Sequence, residues 1–421
     1  RDWYIWKDGR GSQPPNNWRS IVGGSGWHFD ARSKQWYYAS FLPFQPDLNY
    51  RNPEVTAAML AVAKHWLDMG VDGYRLDIFH SLFKDENFRD NPWSTKLFSR
   101  DYPAGFFQEY LHNFNQPETI QFARQLRQVA DSYPTPKLLL GEIFADHQTA
   151  REYLGQDSDG LNLVFQWNLL NVRPQSNYLW DVLQDYETNF GQPYTPVLVY
   201  GNHDHKRLLS RIGGDWRKAL LLAVFQFTAR GVPVTYYGEE IGMSEVYLPK
   251  KKWKDPVGKR FSWLPEFIPR MIGGSATRDG CRSPMQWNDD ENAGFTSPAI
   301  DPWLPVHRDH LQVNVSREIS RPESLFNNYR KLLQIRRKHP ALHSGSLEMI
   351  HLEEKNSRLL AYYRLYAGEK MLVLLNFGEK EISFHNESEC QREIFRFGEI
   401  KQDHNEVISL APLAAAILAN P

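Results

Sequence analysis

Apolar and polar positions along this chain change period twice, and the changes divide it into three stretches. Residues 1–53 are rich in Gly, Pro, Asn and Trp and lack a helical period, so they read as loops and short strands. At Asn52-Pro53-Glu54 a period of 3.6 begins, with Val55, Met59, Ala63, Trp66 and Leu67 on one face and Gly70 as the stop. The apolar run that follows to Phe79 predicts a strand. Helices near 117–132, 147–154, 176–189 and 215–229 then alternate with strands at 137–144, 161–169, 196–202 and 231–237. Such alternation predicts right-handed crossovers and a parallel sheet. An irregular stretch, 241–323, precedes a last helix at 324–338. Beyond residue 345 the helical period gives way to SLEMIHL, RLLAYYRLY, KMLVLLNF and AAAILA, which predict antiparallel strands. The expected domains are therefore 1–53, 54–345 and 346–421.

Composition narrows the partners. Among 421 residues, 49 basic side chains stand against 50 acidic ones, which leaves no broad basic surface for nucleic acid. Aromatic residues make up 14%, and flat rings stack on sugar faces, although most such rings serve cores and loop anchors. Cys281 and Cys390 are too few for a disulfide framework, so a reducing, cytoplasmic setting is expected. The longest apolar run, near Ala219 to Phe227, reads as a buried helix, and no membrane partner is expected.

Three apolar runs end in a carboxylate: Asp77, Glu142 and Asp204. In strand-helix barrels the reactive groups sit at the carboxyl ends of strands, so these acids are expected to converge on one pocket. Cleavage of a glycosidic bond needs such carboxylates, one to attack and one to deliver a proton. Arg75 precedes Asp77 by two and shares its strand face, where it would keep the acid ionised; a structural ion pair is the plain alternative. Glu142 follows Leu138-Leu139-Leu140-Gly141 and should be desolvated, as a general acid requires; an acid balancing a helix dipole is the alternative. His203 beside Asp204 can donate to a sugar hydroxyl, yet Asn-His-Asp is also an ordinary loop triplet. His203 and His205 lack further ligands at metal spacing. Glu239 and Glu240 end another apolar run and are left out of the catalytic set. Phosphate-loop and Gly-x-Ser-x-Gly motifs are absent.

The motifs QPDLN (45–49), GYRLD (73–77), GEIFA (141–145), GNHD (201–204), GVPVTYYGEEIGM (231–243) and RDGCRSPMQW (278–287) resemble glycoside hydrolase family 13. The branch is that of oligo-1,6-glucosidases and α-glucosidases. The resemblance implies a retaining enzyme on a (β/α)8 TIM-type barrel, incomplete at its N-terminus, with a C-terminal antiparallel β-sandwich. Residues 1–53 would be the remainder of a loop domain inserted after the third strand, 54–345 strands 4–8, and 346–421 the sandwich. It also implies Asp77 as nucleophile, Glu142 as acid/base, Asp204 as transition-state stabiliser, and Arg75 and His203 as sugar-binding partners. Arg278 would hold the far side of a terminal glucose and make the pocket a dead end. In this branch Val after the nucleophile goes with α-1,6 bonds and Thr with α-1,4; Ile78 is nearer to Val.

The expected activity is exo-hydrolysis of short gluco-oligosaccharides. The alternatives are a transglycosylase or sucrose isomerase with the same site, and a non-catalytic relative. No cofactor is expected, calcium entering only through an early loop that this chain lacks. The missing strands would favour association through the exposed barrel edge, or with a chain that supplies them.

Overall fold

In the computed structural model the described residues are 1–95, 104–105, 107–260, 262–263, 277–352, 358–403 and 406–421. They form two compact units, Arg1–Trp167 with Asn189–Pro196, and Asn168–Thr188 with Val197–Pro421.

The first unit begins with three short antiparallel strands, β1 (Trp6–Lys7), β2 (Trp27–Asp30) and β3 (Gln35–Tyr38), with β3 in the centre. Their core is aromatic. Trp18, Trp27 and Tyr38 are buried with Ile5, and Trp18 stacks on Trp27 with 6.0 Å between ring centroids. Many of the rings counted in the sequence therefore serve packing. Helix α1 (Pro53–Asp68) starts where expected, because Asn52 Oδ1 accepts the Glu54 N–H at 2.9 Å and Pro53 needs no N–H partner in the first turn. Of its predicted apolar face only Val55 and Leu67 are buried; Trp66 is 47% exposed.

Strand β4 (Gly73–Leu76), helix α2 (Pro117–Asp131), strand β5 (Leu138–Gly141), helix α3 (His147–Leu154) and strand β6 (Leu163–Val164) follow. The three strands make a parallel sheet in the order β4-β5-β6. Each is shorter than its apolar run because the chain leaves the ladder at the strand end. Ile78 adopts a left-handed conformation, φ 42° and ψ 39°, and the Phe79 N–H is carried to Glu142 O. Beyond β6 the Trp167 indole N–H satisfies Ile143 O in place of a ladder bond.

Helix α4 (Ser176–Phe190) lies almost wholly in the second unit, where β7 (Val197–Val199) pairs in parallel with β8 (Val232–Val234). Between them, α5 (Trp216–Thr228) is buried continuously from Ala219 to Thr228, as a helix that is apolar all round requires. The predicted irregular stretch carries several short helical turns, and helix α6 (Leu325–Lys338) closes it, capped by Ser324. Within the loop 241–277, residues 261 and 264–276 lie outside the described residues.

The C-terminal stretch is antiparallel throughout. Strands β9 (Ser346–Met349), β10 (Leu359–Tyr366), β11 (Glu369–Asn376), β12 (Ile382–His385), β13 (Arg392–Phe397), β14 (Ile400–Gln402), β15 (Val407–Leu410) and β16 (Ala414–Ala419) form two sheets. Their orders are β9-β10-β11-β16-β13 and β12-β15-β14, with Leu372, Leu374, Phe384, Ile408 and Ala416 in the core. The four predicted strands are present. Strands β12 to β15 were missed because each is short, three to six residues, and too brief to show a clear period.

Candidate active site

Each unit carries one cluster of the predicted residues. In the first, β4 and β5 run in register from Gly73 opposite Leu138 to Leu76 opposite Gly141. Asp77 and Glu142 are the next residues on each strand, so the pairing sets both acids at equivalent carboxyl ends. The close approach depends on Gly73, whose φ is 152°; a Cβ there would lie 2.0 Å from Leu138 O.

Arg75 bridges the two acids. One terminal nitrogen pairs with Asp77 Oδ1, and Nη2 lies 2.8 Å from Glu142 Oε1. The second Glu142 oxygen accepts the Ile78 N–H at 3.1 Å. That bond comes from the left-handed backbone at Ile78, a costly conformation for a β-branched residue. The acids differ in environment: the Glu142 side chain is 5% exposed and that of Asp77 68%. Burial of Glu142 matches the expectation, whereas its guanidinium partner was expected for Asp77 alone. Beneath them, burial between Phe114 and Phe144 lowers the pKa of His80 to about 3, so its ring is neutral near pH 7.

The second cluster follows β7. Asn202 Oδ1 accepts the Asp204 N–H at 2.9 Å, which folds Asn202-His203-Asp204 into a side-chain-capped turn. Asp204 Oδ1 accepts from Arg278 Nη1 at 2.9 Å and from Arg282 Nη2 at 2.8 Å, while His203 Nε2 stands 3.5 Å from Oδ2. Burial pushes the Asp204 pKa up, but His203, Arg278 and Arg282 outweigh it and hold the carboxyl below its usual range. The acid is therefore ionised. Arg282 Nε and the Cys281 thiol both donate to His203 O, at 2.7 and 3.3 Å, and brace the turn.

Arg75, Asp77 and Glu142 thus stand together in the first unit, and His203, Asp204 and Arg278 in the second. Sequence reasoning assigned nothing to Arg282 or Asp255, which binds Arg278. Arg282 had a local signal: it lies four residues after Arg278, and a helical turn at Asp279–Arg282 sets both beside Asp204. Asp255 had none. Among the described residues no three His, Cys, Asp or Glu side chains gather as metal ligands, and no helix is long and apolar enough to cross a membrane.

Comparison with known proteins adds an independent finding. Residues 1–345 match the model of the α-amylase catalytic domain. The chain belongs to the α-amylase family. Its fold is that of this glycoside hydrolase family, a (β/α)8 barrel with C-terminal antiparallel β-sheets. It is 34% identical over 398 residues to a probable alpha-glucosidase of Rhizobium meliloti, covering 90% of this chain and 68% of the relative. It is 32% identical to an oligo-1,6-glucosidase of Parageobacillus thermoglucosidasius, with 90% and 70% covered. Among solved structures, the alpha-glucosyl transfer enzyme XgtA matches with a TM-score of 0.83 and 32% identity, over 100% of this chain and 77% of the other. The trehalulose synthase MutB of Pseudomonas mesoacidophila matches at 0.86 and 27%, over 100% and 78%. This α-amylase-family chain is a glycoside hydrolase.

Proposed function

We propose that the chain is a retaining, exo-acting α-glucosidase that hydrolyses terminal α-glucosidic bonds in short gluco-oligosaccharides. The observation that carries this reading is the pair Asp77 and Glu142, placed at matching ends of two paired strands and bridged by Arg75. Glu142 protonates the glycosidic oxygen while Asp77 attacks the anomeric carbon. A β-linked glucosyl ester forms on Asp77, and water activated by Glu142 then releases α-glucose. The two carboxyl groups should stand about 5–5.5 Å apart for this outcome.

Arg75 Nη2 lies 2.8 Å from Glu142 Oε1, on the group that must deliver the proton. Its contact with Glu142 must therefore loosen when substrate enters. Asp204, held ionised, stabilises the positive charge that develops on the sugar ring, while His203, Arg278 and Arg282 bind hydroxyls of the terminal glucose. Ile78 beside the nucleophile favours α-1,6 over α-1,4 bonds, by the small margin that a methyl-scale difference supports.

A second reading draws on the similarity to XgtA and MutB, a glucosyl transfer enzyme and a trehalulose synthase: the same chemistry with a sugar in place of water as acceptor. Product analysis on isomaltose, maltose and sucrose separates the two. Free α-glucose supports hydrolysis; glucosylated sugars or rearranged sucrose support transfer. Asp77→Asn is expected to abolish turnover with circular dichroism and Tm unchanged. Retained turnover in that variant, or β-glucose as first product, would overturn the mechanism.

A further inference from the structure

Arg278 meets Asp204 with only one corner of its guanidinium. Nη1 points to Asp204 Oδ1, while Nε and Nη2 donate to Asp255 Oδ2 and Oδ1 at 3.0 and 2.8 Å. That second contact is a fork-to-fork pair, which fixes the plane of the guanidinium as well as its position. Asp255 is 3% exposed, and its carboxylate has no solvent route comparable to that of Asp204, which is one-third exposed.

The backbone around the pair is locked in both directions. The Asp279 carboxylate accepts the N–H groups of Lys254 and Asp255 at 2.7 and 3.0 Å. The Asp255 carboxylate in turn accepts those of Val257 and Arg278 at 3.1 and 3.0 Å. Gly258 seats directly on Thr277, where a Cβ would come within 2.7 Å of the threonine Cβ. Four backbone N–H groups and the Gly258 contact thus tie the segments 254–258 and 277–279 together.

We propose that Asp255 is a positioning residue: it holds Nε and Nη2 of Arg278, so that Asp204 meets the guanidinium through Nη1 alone and keeps room for the sugar. This rests on the reading that Arg278 and Asp204 bind the terminal glucose. Without Asp255, Nε and Nη2 would lose these acceptors, and the guanidinium would turn to Asp204 and form a closed two-point pair. Sugar hydroxyls would then compete with that pair for both partners, and binding would suffer more than chemistry. Lysine at 278 cannot reproduce the division, since an ammonium is a single point of charge.

The test is a double-mutant cycle in the full chain, with kcat and KM measured on an aryl α-glucoside and Tm followed in parallel. Asp255→Asn is expected to raise KM about tenfold and change kcat by less than about threefold, with Asp255→Glu partly restoring KM. In an Arg278→Ala background the same change should alter KM by less than about twofold, because its target is gone. Equal effects in both backgrounds, or no effect in either, would overturn the proposal. If the wild type turns over no glucoside, the functional reading fails instead, and crystal structures decide the positioning role. Arg278 swung onto Asp204 in Asp255→Asn upholds it; Arg278 unmoved overturns it.

Discussion

Single ionisable groups in this chain show how burial decides protonation. Glu239 is 7% exposed, its Oε1 has no hydrogen-bond partner among the described residues, and burial raises its pKa to about 8. A carboxyl whose folded pKa lies above its unfolded value binds protons more tightly when folded. Its contribution is fully present below the unfolded pKa, near 4.5, and is lost as pH rises through about 8. Glu239→Gln removes that loss. The variant is expected to match wild type at pH 4 and to be about 3–5 kcal/mol more stable at pH 8.5, read from urea unfolding at both pH values. A constant difference across the range would contradict the burial argument. The packing is unforgiving there, since a Cβ on Gly201 would sit 2.6 Å from Glu239 Oε1. The residue just before Asn202-His203-Asp204 must therefore be small.

Among the elements, strands β4 and β5 matter most because their register places two acids. The sequence showed both apolar runs and both acids, but no local signal aligned Leu76 with Gly141. Gly73 makes the alignment possible. Gly73→Ala should push β4 off β5, since its Cβ would overlap Leu138 O and φ 152° disfavours any side chain. A loss of about 3 kcal/mol or more in stability is expected, together with a fall in activity beyond what unfolding explains. Unchanged activity in the folded fraction would mean that register does not control the Asp77 and Glu142 placement. Ile78 was legible only as a linkage-related side chain. Its left-handed backbone, and the N–H it turns toward Glu142, came from the fold.

At the scale of the whole molecule, the β-sheets of the second unit are tied to its helices by buried arginine. Arg364 on β10 is fully buried and donates to the carbonyls of Thr228, Leu342, Gly345 and Ser346. Burial lowers its pKa to about 9, yet four carbonyl acceptors keep the group satisfied. Arg364→Met fills similar space but leaves those carbonyls unpaired. The expected loss is about 2–4 kcal/mol in stability, measured by denaturant unfolding, with KM on glucosides unchanged in the folded protein. A neutral result would mean that water replaces the guanidinium.

Local sequence was sufficient for the strand-helix alternation, the antiparallel C-terminal sheets and the three acids at strand ends, because each depends on side-chain period and on near neighbours. It was insufficient for Arg75 bridging two acids, for Arg282 on Asp204 and for Asp255 behind Arg278. Those contacts join positions from 23 to 78 residues apart. A hydrogen bond across such a span leaves no trace in periodicity or spacing, so only folding brings its partners together.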